Sequence, residues 1–189
     1  VTNYSTIYNP LAGDYIKNDL IKSINKNILF SGFVKDFKGI EVLLRAIKEL
    51  VQLDQRYNLT VVGYGDLEKF KNISKCLNVE KKVKFIGKLA IDRIIQMYIK
   101  STIVVVPSLC FETFSRTVIE GMSQKCIVIA TDRGGPAEII KNGENGYLFN
   151  VGDHMQLSDI ILSLYNDLDK MREIQENARK CAITNFSFD

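Results

Sequence analysis

The chain is poor in the residues that build metal and redox sites. It has one histidine, His154, no tryptophan, and four cysteines, Cys76, Cys110, Cys126 and Cys181, none in C-x-x-C spacing. A structural zinc site has no ligand set to draw on, and reduced thiols of a cytosolic protein are the default reading. Charge of one sign is also scarce. Twenty-five Lys and Arg against 22 Asp and Glu leave a net +3, too weak to point to nucleic acid and better read as scattered lysines on solvated faces. Long apolar runs are missing too. Ile103 to Val106 and Cys126 to Ala130 are strand-length, far below the roughly 20 residues that span a bilayer, and the sequence does not open on a signal-peptide pattern. What remains, 46% hydrophobic and 25% charged over 189 residues, suits one well-filled globular core.

Along the chain, residues 1–26 are polar and weakly patterned and read as a lead-in. Strands are expected at Asn27 to Gly32, Leu59 to Val62, Val83 to Gly87, Thr102 to Val106, Ile127 to Ala130 and Gly146 to Phe149. Helical stripes fall between them, including Leu43, Ala46, Ile47 and Leu50, then Ile91 to Ile99, and two closing stripes, Leu157/Ile160/Ile161/Leu164 and Met171/Ile174/Ala178/Cys181. Strands alternating with helices of this length predict an α/β fold, a Rossmann-like doubly wound parallel sheet of about six strands with helices on both faces. Near-continuous apolar strands agree with burial on both sides. Ligands of such sheets bind beyond the carboxyl ends of the strands. The distinctive residues gather there: Phe33 to Lys38, Gly63 to Gly65, Gly87 and Lys88, Ser108 to Glu112, and Thr131 to Gly135.

One spacing stands out. Glu112 is followed eight residues later by Glu120, in a run from Pro107 to Met122 that reads as strand end, loop and first helical turns, with Glu112 where the helix starts. Carboxylates beside helix N–H groups suit a ligand carrying hydroxyls, which need acceptors, and phosphate, which needs amides. Spacing alone favours two ordinary surface carboxylates; the surrounding motifs are what turn the reading to function. An acid and nucleophile of a hydrolase would have to face each other across one bond, which is not the reading here. Gly63-Tyr64-Gly65 lacks the third glycine of a dinucleotide fingerprint, Glu68 standing there, and follows the second strand, so a nicotinamide cofactor fits poorly. Asp167-Leu168-Asp169 reads as a helix cap, His154 as solvent-facing, and Gly134-Gly135-Pro136 as a turn into a helix.

Taken together these segments resemble, in order, the C-terminal nucleotide-sugar-binding domain of retaining GT-B glycosyltransferases of family 4, often called group 1. Ser31-Gly32 through Lys38-Gly39 is similar to the phosphate-binding loop, Val62 to Gly65 to the glycine turn, Val83 to Gly87 to the base-binding edge, and Pro107 to Met122 to the Glu-x7-Glu motif. Val128 to Ala130, Gly134 to Ile140 and Asn145 to Leu148 resemble the closing segment. The resemblance implies Lys38 and amides near Phe114, Ser115 and Arg116 on the donor diphosphate. It puts Glu112 on the transferred sugar, Glu120 on the ribose hydroxyls, backbone at Gly87 and Lys88 around the base, and Gly135 close to sugar or phosphate. Glu112 and Lys38 are the residues closest to catalysis. Phe33 stands where the family usually has an arginine, with Lys35 or Arg116 left to compensate, and Ser115 replaces a usual glycine.

The expected organisation is a lead-in at 1–26, with Ile7-Tyr8-Asn9-Pro10 leaving an N-terminal acceptor domain, a donor-binding domain at 27–184, and a crossover back to the acceptor domain at 185–189. The expected activity is transfer of a hexose-type sugar from a nucleoside diphosphate to a polysaccharide or glycolipid acceptor, without cofactor or metal, the isolated half being inactive alone. Expected partners are the donor, the acceptor domain and an acceptor glycan or lipid-linked sugar, and the expected place is the cytoplasm, or the inner membrane face through the other domain. A binding module without catalysis and a GT-B-like nucleotide-sugar epimerase are the alternatives.

Overall fold

A computed structural model describes residues 10–15 and 22–187. The Ile7–Asn9 part of the lead-in motif and residues 188–189 of the crossover lie outside these.

Six strands, β1 (Asn27–Ser31), β2 (Asn58–Val62), β3 (Val83–Ile86), β4 (Ile103–Val106), β5 (Ile127–Thr131) and β6 (Tyr147–Phe149), form one sheet in the order β3-β2-β1-β4-β5-β6. Every pairing is parallel, with Ile28 opposite Leu59 and Ile103, and Ile129 opposite Tyr147. The expected α/β doubly wound sheet is therefore what forms. The strands at Gly87 and Gly146 stop one residue short of expectation, since each glycine adds backbone entropy and no side chain to the ladder.

Among the described residues seven α-helices cover it: α1 (Ile40–Leu53), α2 (Leu67–Cys76), α3 (Ile91–Lys100), α4 (Arg116–Ser123), α5 (Gly135–Ile139), α6 (His154–Leu164) and α7 (Leu168–Phe186). Successive strand residues point to opposite faces, so each strand feeds two cores. Ile28, Phe30, Ile103, Val105, Ile127 and Ile129 pack under α1, α2 and α6. Leu29, Val104, Val106, Val128 and Ala130 pack under α3, α4 and the end of α7. This double burial is why the strands read as unbroken apolar runs. In α7 it is Ala182, not the expected Cys181, that is fully buried, because the helix turns its later half toward α4 and β5.

The cap expected at Asp167 forms, and Asp153 caps α6 in the same way. Asp153 and Asp167 accept hydrogen bonds from the Gln156 and Lys170 amides, which assigns the Asp167-Leu168-Asp169 string to a helix start. The described part of residues 10–15 is built into the second core, with Leu11 and Tyr15 buried and the Leu11 amide bonded to the Phe186 carbonyl at 2.7 Å. Among the described residues no helix is long and apolar enough to cross a membrane.

Candidate functional site

The strand order reverses between β1 and β4. At such a switch point the loops after two adjacent strands leave in opposite directions and open a crevice at the carboxyl edge. The loop after β1 carries Lys38 and the loop after β4 carries Glu112, and they meet there. Lys38 Nζ lies 2.9 Å from Glu112 Oε1, and Ser108 Oγ donates to the same oxygen. The pair is withdrawn from water, its side chains being 25% and 11% exposed. The two loops are also joined by backbone, the Leu109 amide donating to the Phe37 carbonyl at 2.8 Å.

The Glu112 loop is held from the other side by the loop after β5. The Gly135 amide donates to the Glu112 carbonyl at 2.7 Å. Gly134 has φ +67°, and a Cβ there would overlap that same carbonyl oxygen. Only glycine meets both demands. The Gly134-Gly135 pair is thus explained by the approach of two protein loops, and the Gly135 N–H is engaged within the chain. Glu112 itself does not begin the helix. α4 starts at Arg116, with extended Ser115 (φ −101°, ψ 99°) as its cap and no side-chain hydrogen bond closing the helix amides, so Glu112 is free to turn toward Lys38.

Glu120 lies on the second turn of α4 and faces a neighbouring hollow. Its side chain is 13% exposed. Tyr98 Oη donates to Oε2 at 3.1 Å, and Arg116 Nη2 lies 3.3 Å from Oε1. Burial pushes the Glu120 carboxyl above its ordinary range, against the opposing pull of Arg116 and the hydroxyls of Tyr98 and Tyr15. Burial likewise pushes the fully buried Tyr98 hydroxyl well up, with the Glu120 charge adding to it.

Two cavities adjoin at this edge. One of about 50 Å³ is lined by Lys38, Ser108, Glu112 and Ser115, and one of about 390 Å³ by Tyr15, Arg116, Glu120, Leu89 and Ile94. Ser31, Gly32 and Thr117 line both, and Thr117 Oγ1 bonds the Ser31 carbonyl at 3.1 Å. Lys38, Glu112, Ser115, Arg116 and Glu120 are therefore brought together. Gly87 and Lys88 are exposed beyond β3, and the wall of the larger cavity on that side is made by Leu89, Ile91 and Ile94. Phe114 turns its ring to Phe186, 5.9 Å between centroids. Phe33 stacks in a cluster with Tyr64 at 5.0 Å and Phe37 at 6.1 Å. Neither suggested substitute for its missing charge is unengaged, since Lys35 is bonded to Asp66 at 2.8 Å and Arg116 faces Glu120.

Sequence reasoning missed Tyr15 and Tyr98, and gave no role of their own to Ser31 and Thr117 within the motifs that contain them. Tyr98 reads as one more apolar position of its helix, and Tyr15 lies in a segment without pattern. Among the described residues no cluster of three or more His, Cys, Asp and Glu side chains is arranged to hold a metal.

The model of the family described as glycosyl transferases group 1 matches residues 14–181. The chain belongs to this family. A relative in Methanocaldococcus jannaschii, an uncharacterized glycosyltransferase, is 29% identical over 187 residues, covering 88% of this chain and 52% of its own. The lipopolysaccharide 1,2-N-acetylglucosaminetransferase of Salmonella typhimurium is 30% identical, covering 86% of this chain and 45% of its own. Anabaena HepE, solved in complex with UDP and glucose, superposes with a TM-score of 0.80 at 27% identity, over 86% of this chain and 45% of that one. The sheet is thus the Rossmann-like half of a GT-B fold. The group 1 chain spans about half the length, or less, of the curated relatives it matches.

Proposed function

We propose that this domain is the donor-binding half of a retaining family 4 glycosyltransferase, which moves a hexose-type sugar from a nucleoside diphosphate to a polysaccharide or glycolipid acceptor. The observation that carries the reading is the pairing of Lys38 with Glu112, beside Glu120, in two adjoining cavities at the β1/β4 switch point. A cation and helix amides are what a leaving diphosphate requires, and two separate carboxylates are what two sets of hydroxyls require. In this reading Lys38 and the α4 amides stabilise the departing diphosphate, Glu112 orients the sugar, and Glu120 holds the ribose. The reaction is a front-face displacement assisted by the donor phosphate, run without a metal. The UDP and glucose held by HepE and the sugar transfer named for the Salmonella relative support this assignment. The acceptor pocket belongs to the other half of such enzymes, so this half alone binds donor without transferring it.

The test is calorimetry with UDP, GDP, ADP, NAD and several nucleotide-sugars, with and without magnesium. One nucleoside diphosphate is expected to bind independently of magnesium. Tighter binding of NAD than of any nucleoside diphosphate would overturn the reading, as would strict dependence on magnesium for its metal-free part.

A further inference from the structure

We propose that Tyr98 and Tyr15 are positioning residues for Glu120, fixing its carboxylate as an acceptor for vicinal hydroxyls, and that the segment ahead of β1 is thereby a working part of the ligand site. The ligand named here rests on the donor-binding reading above.

The geometry is specific. Tyr98 is fully buried on α3 and stands behind Glu120, its hydroxyl 3.1 Å from Oε2. Ser31, at the carboxyl end of β1, lines the same cavity as Glu120. The Tyr98 ring lies in the core that also holds Leu29 of β1, so it links α4 to the strand that leads into the Lys38 loop. Tyr15 packs edge-on against Tyr98, with centroids 6.1 Å apart and 67° between planes, and lines the larger cavity beside Glu120 and Arg116. Its backbone is fixed from within, Gln124 Nε2 donating to the Tyr15 carbonyl at 2.6 Å. The Tyr98 backbone is fixed likewise, its carbonyl accepting from Lys22 Nζ at 2.7 Å.

This arrangement does more than fill space. A buried carboxylate needs donors to stay ionised, and a phenol supplies one without carrying a positive charge that would compete for the anion. The groups facing Glu120 are Arg116 from its own helix, Tyr98 from α3, and Tyr15, with Asp14 beside it, from the segment ahead of β1. Arg116 is 65% exposed, so it can turn away when a ligand arrives. Tyr98, fully buried, cannot. It holds the carboxylate against rotation, with Tyr15 packed against its ring, so the oxygen that Arg116 leaves is presented to the ligand. A packing role alone would need the rings and not the hydroxyls.

The experiment removes only the hydroxyls. Tyr98→Phe and Tyr15→Phe are titrated with UDP, GDP and ADP, each beside its 2′-deoxy counterpart, and the Glu120 carboxyl is followed by NMR against pH in the ligand-free chain. The wild type is expected to prefer the ribose form by about tenfold. Each variant is expected to lose most of that preference while its affinity for the 2′-deoxy form stays within twofold, and the Glu120 carboxyl is expected to titrate at higher pH. If the wild type shows no ribose preference, the donor reading fails and takes the ligand assignment with it. If the wild type shows the preference and both variants keep it, positioning alone is overturned. An equal loss for both forms of the ligand would also overturn it, by pointing to packing. Should Tyr98→Phe fold poorly, Tyr15→Phe, at the cavity wall, carries the same test.

Discussion

Replacing Glu120 by glutamine should make the chain more stable and a poorer binder. The carboxyl is buried enough that its ionised form is disfavoured in the folded state. A group whose folded value lies above its unfolded one contributes most at low pH and loses that contribution as pH rises through the folded value. Glutamine has the same shape and no charge, and its carbonyl can still accept from Tyr98 Oη, 3.1 Å away in the wild type. The partner it abandons, Arg116, is 65% exposed and regains water, so little is lost there. The gain should fall in the range common to single stabilising substitutions, about 0.5–2 kcal/mol, or some 2–4 °C per kcal/mol for a domain of this size. It should be present near pH 8 and vanish below the unfolded value of about 4.3. Calorimetric melting of both proteins from pH 4 to 8 measures it. A glutamine variant that melts lower than wild type at pH 8 would refute the argument, as would a difference that does not change with pH. In the same variant, affinity for a bare nucleoside diphosphate should fall roughly 10- to 100-fold, the worth of a hydrogen bond to a charged group. Unchanged affinity would remove Glu120 from the ribose.

Four further outcomes are expected. Lys38→Ala should weaken a nucleoside diphosphate by about 1.5–3 kcal/mol and the bare nucleoside hardly at all; an equal loss measured by calorimetry would indicate a fold defect. Glu112→Gln frees Lys38 from its 2.9 Å partner, so the diphosphate should bind a few-fold tighter and the nucleotide-sugar weaker, and parallel changes in the two affinities would contradict the assigned roles. Gly134→Ala should cost about 2 kcal/mol or more in urea unfolding, because strain at φ +67° adds to the overlap with the Glu112 carbonyl. Gly143→Ala, at φ +78° with open space around it, is the control that bears the strain alone and should cost clearly less. Phe33→Arg should raise diphosphate affinity in a salt-sensitive way, with the new guanidinium resting on Tyr64, now 5.0 Å from the Phe33 ring; no gain would mean the aromatic cluster keeps the phosphates away from this loop.

The sheet was legible because each βαβ unit writes its own signal. Ile103-Val104-Val105-Val106 is apolar throughout since both faces are covered, and Pro107 ends it. The meeting of Lys38 with Glu112 was legible only in part. Their loops follow β1 and β4, and topology alone brings those two strands side by side; the resemblance supplied the chemistry. The setting of Glu120 was not legible. Its partners outside α4 come from α3 and from residue 15, and no local pattern marks a tyrosine as the one whose hydroxyl points to a distant carboxylate. The glycines were read by their turn chemistry, whereas at Gly134 it is contact with the Glu112 loop that decides the residue.

The two carboxylates are held in opposite ways, and the difference bears on how the proposed site would work. Glu112 is matched by a full charge, Lys38, together with the Ser108 hydroxyl. Glu120 is matched by Arg116, an exposed and movable counterion, and by neutral hydroxyls. A diphosphate competes for Lys38, because the ammonium has three donors and can turn from one anion to another. When it does, Glu112 is left with acceptor capacity and no cation, which is the state that hydroxyls of a sugar can satisfy. Diphosphate and sugar would then reinforce each other through one salt bridge, a coupling that neither half of the donor could produce alone. Glu120 has no such exchange available from the phenols behind it, and in the proposed role its burial would keep it set for the ribose whether or not the diphosphate is present.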